Sequence, residues 1–293
     1  MDFAGKWKIW FAISLIVIGA GLVSLLVNGG LNLSIDFTGG NLLEVQFSES
    51  VSSGEVRDVL RKFDLEKSPV QSSGDNRYII RTGTLSEEES TKILDTMEKD
   101  LGSINILRNE KVDAIIGGEL TRDGIIALVL ASLLIVAYIT WRFEFNFAIA
   151  GIIGLLHDVM VMTSFMAIFR LEVDITFIAA VLTIIGYSIN DTIVVFDRIR
   201  ENIHSRKYKE LAALVNDSVM QTLRRTIFTT ASTLLVLFAL IFLGGDTTRI
   251  FATALTVGCI TGVYSTIFIA SPIWMLMKQR RSPQRHLKAE KAG

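Results

Sequence analysis

The sequence predicts an α-helical integral membrane protein with six spanning helices and a small α+β domain between the first and the second. Hydrophobic residues make up 50% of the 293 residues and the mean hydropathy is +0.46, which is too apolar for an ordinary soluble domain. Only three prolines interrupt the chain. Six runs with few or no charges come close to or exceed the roughly 20 residues that cross a bilayer.

The six apolar runs define the predicted spans, which cover residues 9–27, 124–141, 146–169, 175–196, 226–244 and 250–277. The first run follows Lys6 and Lys8 and is longer than the apolar region of a signal peptide. We therefore interpret residues 1–28 as a short N-terminal segment and an uncleaved first span. Cys259 is the single cysteine, which excludes an intrachain disulfide.

The distribution of lysine and arginine predicts cytoplasmic N- and C-termini. In that orientation the cytoplasmic segments carry sixteen of these residues, whereas the two short outer loops carry only Arg170 and Arg249. The four tryptophans then fall at cytoplasmic helix ends, where aromatic belts form. They are Trp7, Trp10, Trp141 and Trp274.

Residues 29–123 form the one large predicted segment outside the membrane. Its strand, helix and turn signals follow the order β-α-β-β-α-β, which is that of a ferredoxin-like module. Two serine–glutamate pairs at capping-box spacing open its two helices. The signals are the alternating Leu43, Val45 and Phe47, the pairs Ser52–Glu55 and Ser86–Glu89, a turn at residues 72–76, and a last strand near residues 104–112.

The remaining segments outside the spans are basic. Residues 197–223 lie between spans four and five and carry an apolar stripe, so we predict an amphipathic cytoplasmic helix lying on the membrane surface within the bundle 124–277. Residues 278–293 predict a disordered basic cytoplasmic tail.

Asp191 is the principal candidate site residue because it lies inside the fourth apolar run. A carboxylate in hydrocarbon costs about 2.5–3.5 kcal/mol even on the lenient insertion scale, and such residues commonly have a function. Arg225 enters the fifth run from the same side of the membrane and is the natural partner. An ion pair that only fixes helix packing remains the alternative.

Further polar residues surround this pair in the predicted bundle. Tyr187 and Asn190 lie near Asp191 on the fourth span, and Thr229 lies one turn beyond Arg225. His157 and Asp158 sit near the middle of the third span. They either extend a proton path or hold the helices together, and because adjacent helical residues point about 100° apart we expect them not to serve one face.

Other patterns in the sequence concern backbone geometry. In Ser34-Ile-Asp-Phe-Thr-Gly-Gly40 we expect Asp36 to cap a turn and the two glycines to allow a rigid entry into the first strand. Gly258 and Gly262 in the sixth span would allow close helix contact. Glycines around Leu31–Gly40 and Asp113–Asp123 predict two short joints about which the outer domain moves.

The sequence contains no P-loop, no G-x-S-x-G, no H-E-x-x-H and no cysteine pair. We therefore expect no enzyme activity, no bound cofactor and no metal. If the protein performs work, an ion gradient across the membrane is the available energy source, and the coupling ion is expected to be H⁺.

Four segments of the sequence resemble the bacterial SecD/SecF family of protein-export membrane proteins, in particular its SecF branch, which is related to the RND transporters. The segments are SIDFTGG, LLHDV, RLEVDITFIAAVLTIIGYSINDTIVVFDRIREN and QTLRRT. The resemblance implies an RND-like half-bundle in the bacterial inner membrane, with the α+β domain in the periplasm.

The resemblance also implies partners and a role. A SecD subunit would complete a twelve-span unit beside the SecYEG channel, with YajC, YidC, a translocating preprotein and membrane lipid as further contacts and no nucleic acid. That unit would use the proton-motive force to promote export, with Asp191 and Arg225 as the proton-linked pair. Alternatively, the chain is a structural subunit that stabilises SecD and the channel.

Overall fold

The computed structural model describes residues 2–142, 144–205 and 207–281, so the predicted tail beyond Arg281 lies outside the described residues. The helices are α1 (Trp7–Val27), α2 (Ile35–Thr38), α3 (Ser53–Arg61), α4 (Glu87–Leu101), α5 (Ala114–Arg142), α6 (Phe145–Ile168), α7 (Ile175–His204), α8 (Leu211–Leu243), α9 (Asp246–Ser265) and α10 (Ser271–Arg281). The strands are β1 (Asn32–Leu33), β2 (Gly40–Phe47), β3 (Val70–Ser72), β4 (Arg77–Thr82), β5 (Ile104–Val112) and β6 (Glu172–Val173).

The described residues form two compact units. One unit is Leu33–Ile125, and the other comprises the residues up to Asn32 and those from Ile126 onward. Six helical segments are long and apolar enough to cross a membrane, at the six predicted places. The last of these segments is composite, because a π-helical turn at Thr266–Ala270 joins α9 to α10.

The unit Leu33–Ile125 contains a four-stranded antiparallel sheet in the order β3-β4-β2-β5, with the predicted sequence of strands and helices. Both predicted capping boxes are confirmed: in each, the serine and glutamate side chains exchange hydrogen bonds with the backbone at the start of the helix. The alternating residues of β2 form the core with the inner faces of α3 and α4. Its fully buried members include Leu43, Val45, Val56, Ile93 and Met97.

The turn before β2 differs in one detail from the prediction. Ser34, and not Asp36, caps the short helix α2, since its hydroxyl accepts the Asp36 N–H at 3.1 Å. Gly39 and Gly40 both adopt positive φ, as expected. A Cβ on Gly40 would lie 2.2 Å from the Thr82 carbonyl oxygen, so the backbone of β2 approaches β4 too closely for any side chain there.

The predicted joint at Asp113–Asp123 is wrong. Helix α5 begins at Ala114, ten residues before the predicted start of the span, and runs without a break to Arg142. The adjacent Gly117 and Gly118 each weaken the helix by about 1 kcal/mol relative to alanine but do not break it, and Thr121 donates a hydrogen bond to the Gly117 carbonyl at 2.8 Å.

The predicted surface helix at 197–223 is also wrong. Helix α7 continues beyond the predicted span to His204, and α8 begins at Leu211, so the two long helices take up most of this segment. The apolar stripe of this segment is buried within the protein, where Val215 is 0% exposed. Asn202 of α7 donates to Ser218 of α8 at 2.8 Å, which fastens the two helix ends together.

In the helical unit, α7 packs against α6, α8 and α9. The close approach predicted at Gly258 is confirmed, because a Cβ there would lie 2.4 Å from the Ile184 side chain. The belt position predicted for Trp274 is wrong. Its ring is fully buried and stacks on Phe147 with the centroids 4.9 Å apart, because α10 continues inside the bundle.

Candidate functional site

Asp191 is buried in the middle of the helical unit with little to neutralise it. The residue is 8% exposed, and its Oδ2 has no hydrogen-bond partner among the described residues. The sequence of α7 places it there, since Ile184, Ser188 and Val195 are buried at the helical spacing around it. A buried carboxylate oxygen without a hydrogen-bond partner is unfavourable when the group is ionised.

Arg225 does not form the direct ion pair that the sequence suggested. Its side chain is exposed on α8, and neither a hydrogen bond nor a salt bridge joins it to Asp191, although its charge acts on that carboxylate from a distance. The neighbouring Arg224 is also exposed and lies over the Phe228 ring at 5.7 Å from its centroid. The role of Arg225 as proton-linked partner therefore remains a prediction.

The other residues predicted near Asp191 divide between two faces. The Tyr187 hydroxyl points to α8, where it lies 3.4 Å from Thr230 Oγ1 and 3.3 Å from Thr233 Oγ1. Asn190 is exposed on the outside of α7. Thr229 is exposed as well, and its hydroxyl donates to the carbonyl of Arg225 at 2.9 Å. Only Tyr187 therefore lies in the interface that holds Asp191.

Asp158 of α6 forms a second polar centre, which meets α7 at Ser188. Its side chain is 1% exposed, and its Oδ2 accepts hydrogen bonds from Ser188 at 2.6 Å and from Ser265 at 3.0 Å. These contacts join α6 to α7 and to the end of α9, directly before the π-helical turn. Thr192 and Thr266 add a hydroxyl contact of 2.8 Å one turn further along.

His157 extends this centre toward α1. Its Nδ1 lies 3.3 Å from Asp158 Oδ1, and its Nε2 lies 2.9 Å from the Ser14 hydroxyl. The ring stacks on Tyr264, whose hydroxyl donates to the Trp10 carbonyl at 2.7 Å. The expectation that His157 and Asp158 serve separate faces is thus wrong, because the side chains turn toward each other and form one network.

Sequence reasoning missed the hydroxyl groups of the Asp158 centre. Ser14, Ser188, Ser265 and Tyr264 stand in apolar helices without a motif, and Asp158 and Ser265 are more than a hundred residues apart. The only available signal was their polarity inside apolar runs, which does not say which residues meet. Among the described residues, no group of three or more His, Cys, Asp or Glu is arranged to hold a metal ion.

Comparison with known proteins gives the family. The profile of "Protein export membrane protein SecD/SecF, C-terminal" matches residues 91–280, and that of the "SecD/SecF GG Motif" matches residues 23–51. The protein translocase subunit SecF of Sebaldella termitidis is 40% identical over 98% of this chain and 94% of its own length. The chain belongs to the SecD/SecF family. It is a multi-pass membrane protein of that family.

Longer members of the SecD/SecF family contain a region similar to this chain, which spans about two fifths of their length. The protein translocase subunit SecDF of Bacillus subtilis is 41% identical over 95% of this chain, which covers 38% of that protein. The crystal structure of SecDF from Thermus thermophilus, described as a translocon-associated membrane protein, matches with a TM-score of 0.86 and 34% identity, over 96% of this chain and 39% of that one. SecDF in a super-membrane-facing form matches with a TM-score of 0.72.

Proposed function

We propose that this chain is a subunit of the SecDF accessory complex of the Sec translocase and that it uses the proton-motive force to promote preprotein export. The observation that carries the proposal is Asp191: a buried carboxylate with an unpartnered oxygen, inside a helix long enough to span the membrane. A carboxylate in that setting is costly when it is charged and has no partner. Taking up a proton removes that cost.

The coupling follows from the difference between the two states of Asp191. As a carboxylate it attracts the Arg225 guanidinium and favours an arrangement of α7 and α8 that brings the two together or admits water. As a neutral acid it fits the closed packing of the present structure. Alternate protonation from the two sides of the membrane would therefore drive α7 and α8 between two arrangements.

The complex is proposed to lie in the bacterial inner membrane with both termini cytoplasmic and with a ferredoxin-like periplasmic domain at Leu33–Ile125. The SecDF relatives support SecD as the main partner, since they carry this chain as one part of a longer protein. SecYEG, YajC and YidC are proposed further contacts. The chain acts as a transport subunit and not as an enzyme, with H⁺ as the coupling ion.

The outer face of α7 is the proposed contact with SecD. Thr183, Gly186 and Asn190 are exposed at the helical spacing of three and four residues. Polar and small residues at such positions are typical of helix–helix contacts in membranes. A partner helix would cover them.

A structural role is the second candidate, and the Asp158 network favours it. The side chains of that network are joined by hydrogen bonds across α1, α6, α7 and α9, so it holds helices together without needing to titrate. The two functions differ in what Asp191 must do. A transport subunit needs its proton, whereas a structural subunit needs the side chain only for packing.

Export in inverted membrane vesicles separates the two. Asp191→Asn keeps the size of the side chain and removes the proton site, so we expect assembly with SecD to persist and the gradient-dependent phase of export to be lost. Arg225→Met should give the same loss, and Arg224→Met is the matched control. Export at the wild-type rate in assembled Asp191→Asn vesicles under an imposed gradient would leave only the structural role.

A further inference from the structure

The face of α8 that contacts α7 carries a row of hydroxyl groups. They recur at every fourth residue, so they lie one above another along the helix, and all are buried. They belong to Ser218, Thr222, Thr226 and Thr230. The inner end of the row meets Asn202 of α7, and the outer end meets Tyr187.

Thr226 differs from the other members of the row. A threonine in an apolar helix usually donates to the carbonyl four residues before it, as Thr222 does to Ser218 at 3.1 Å. Ser218 likewise donates to the Leu214 carbonyl at 2.7 Å, and Thr230 meets Tyr187. Thr226 is 2% exposed, and its Oγ1 has no hydrogen-bond partner in the part of the chain that the structure describes.

The helix register places Thr226 opposite Asp191. Helices α7 and α8 are joined by a short connection and run antiparallel, and Tyr187 meets Thr230 at 3.4 Å. Asp191 follows Tyr187 by four residues and Thr226 precedes Thr230 by four, so both lie about 6 Å further along the same interface. Asp191 Oδ2 and Thr226 Oγ1 therefore lie at facing positions of the α7–α8 interface, and neither has a hydrogen-bond partner among the described residues.

We propose that Thr226 Oγ1 and Asp191 Oδ2 together bind one water molecule, through which Asp191 exchanges its proton. A carboxylate only accepts hydrogen bonds whereas a hydroxyl both donates and accepts, so one water satisfies both oxygens at once. Thr226 is then a positioning residue. This inference rests on the proposed function, which it supplies with a proton donor.

The proton transfer at this site is simple. A proton arriving from the gradient protonates the bound water. One O–H bond of that hydronium then breaks as a new O–H bond forms on Asp191 Oδ2, and a neutral water remains on Thr226. Release of the proton is the same step in reverse.

Few charged or titratable groups face this site. Arg225 approaches from α8 and the Cys259 thiol from α9, while Tyr187 shares α7 with Asp191. On the α6 side, Asp158 is held by Ser188 and Ser265. Variants of Thr226 leave all of these groups in place.

Infrared difference spectroscopy of the full complex between high and low pH tests the inference. The carbonyl band of protonated Asp191 is identified by its loss in Asp191→Asn, and the bound water by an O–H band that shifts in H₂¹⁸O. In Thr226→Val we expect the water band to disappear and the carbonyl band to move to higher frequency. Gradient-driven export should slow about tenfold, the loss expected for one hydrogen bond to a charged group.

Two variants serve as controls. One tests whether the hydroxyl of residue 226 suffices without the threonine methyl group, and the other tests whether loss of any buried hydroxyl of α8 has the same effect. Thr226→Ser restores the hydroxyl and should recover both bands, and Thr222→Val removes a neighbouring buried hydroxyl and should leave the spectrum unchanged. An Asp191 band that Thr226→Val does not alter would overturn the water site alone. An Asp191 carbonyl band that responds to sodium, without any O–H band that shifts in H₂¹⁸O, would also overturn the water site. A complex without any band lost in Asp191→Asn would contradict the proposed function itself.

Discussion

Asp158 and Asp191 are buried carboxylates in neighbouring helices, but their surroundings differ. Asp158 accepts hydrogen bonds from Ser188 and Ser265 and contacts His157, whereas Asp191 Oδ2 has no partner. A carboxylate with three contacts stabilises the packing of the helices that supply them. One with none is retained at some cost in stability, which is commonly a sign of function.

Matched substitutions should therefore act in opposite ways. We expect Asp158→Asn to lower the free energy of unfolding by about 1–2 kcal/mol, because interhelical hydrogen bonds in membranes average about 0.6 kcal/mol each and two are weakened, those from Ser188 and Ser265. Asp191→Asn should leave stability unchanged or raise it, since it removes a buried carboxyl group whose Oδ2 has no hydrogen-bond partner among the described residues. Thermal unfolding of the purified complex in one lipid nanodisc preparation measures both, and equal losses in the two variants would contradict the distinction.

At the scale of the elements, the best predicted features were those set by local contacts. Ser52 with Glu55, and Ser86 with Glu89, determine their helix starts within four residues, and both capping boxes were recognisable in the sequence. In contrast, the real start of α5 and the long helices α7 and α8 depend on packing against distant residues. A hydropathy pattern shows which residues prefer lipid. It does not show whether a helix continues past the end of the apolar run.

The capping boxes make the starts of α3 and α4 sensitive to acid. Hydrogen bonds from the backbone and side chain of Ser52 lower the pKa of Glu55, and those from Ser86 lower the pKa of Glu89, below the ordinary value of 4.5. Because the folded pKa values are depressed, this stabilisation is present above the ordinary pKa and is lost as pH falls through the lowered values.

Amide hydrogen exchange measures that loss directly. After correction for the intrinsic pH dependence of exchange, protection of the first turns of α3 and α4 should fall as pH drops below 4.5, the ordinary carboxyl pKa. In Glu55→Gln and Glu89→Gln the corresponding helix start should lose this pH dependence. Wild-type protection that stays constant down to full protonation would show that the boxes contribute nothing to these helices.

The contact between α7 and α9 depends on Gly258. A Cβ at this position would lie 2.4 Å from Ile184 Cγ1 and 2.9 Å from Met162 Sδ, so Gly258→Ala should lower the free energy of unfolding by about 1–3 kcal/mol through overpacking. Gly186→Ala is the matched control, because a Cβ there meets nothing within 4 Å. Thermal unfolding of the chain expressed without SecD compares the two, and equal effects would argue against a tight α7–α9 contact.

At the scale of the whole molecule, the sequence predicted a helical membrane protein with six spans and the place of Asp191 in the fourth of them, but not the arrangement of the site. Six apolar runs and the β-α-β-β-α-β order follow from periodicity, which is a property of each segment alone. The separation of Asp158 from Asp191, the exposed side chain of Arg225 and the facing position of Thr226 depend on how helices rotate against one another. No single sequence records that rotation.

The two polar centres suggest a division of roles within the helical unit. The Asp158 network fixes α6, α7 and the end of α9 relative to α1, so these helices form a frame. Across the interface with α8, hydrogen bonds lie on either side of Asp191, at Asn202 and at Tyr187, and none among the described residues reaches Asp191 Oδ2. Movement driven by protonation would therefore take place between α7 and α8, while the frame keeps its packing.

The most direct test of this account is proton movement through the reconstituted complex. Liposomes that contain the complex and an internal pH indicator are given a proton gradient and a translocating preprotein, and internal acidification is recorded. We predict proton influx with the wild-type complex and none with Asp191→Asn. With Asp158→Asn, we predict a proton influx proportional to the amount of complex that is folded. Influx through Asp191→Asn equal to that of wild type would contradict the central claim that protons cross by way of Asp191.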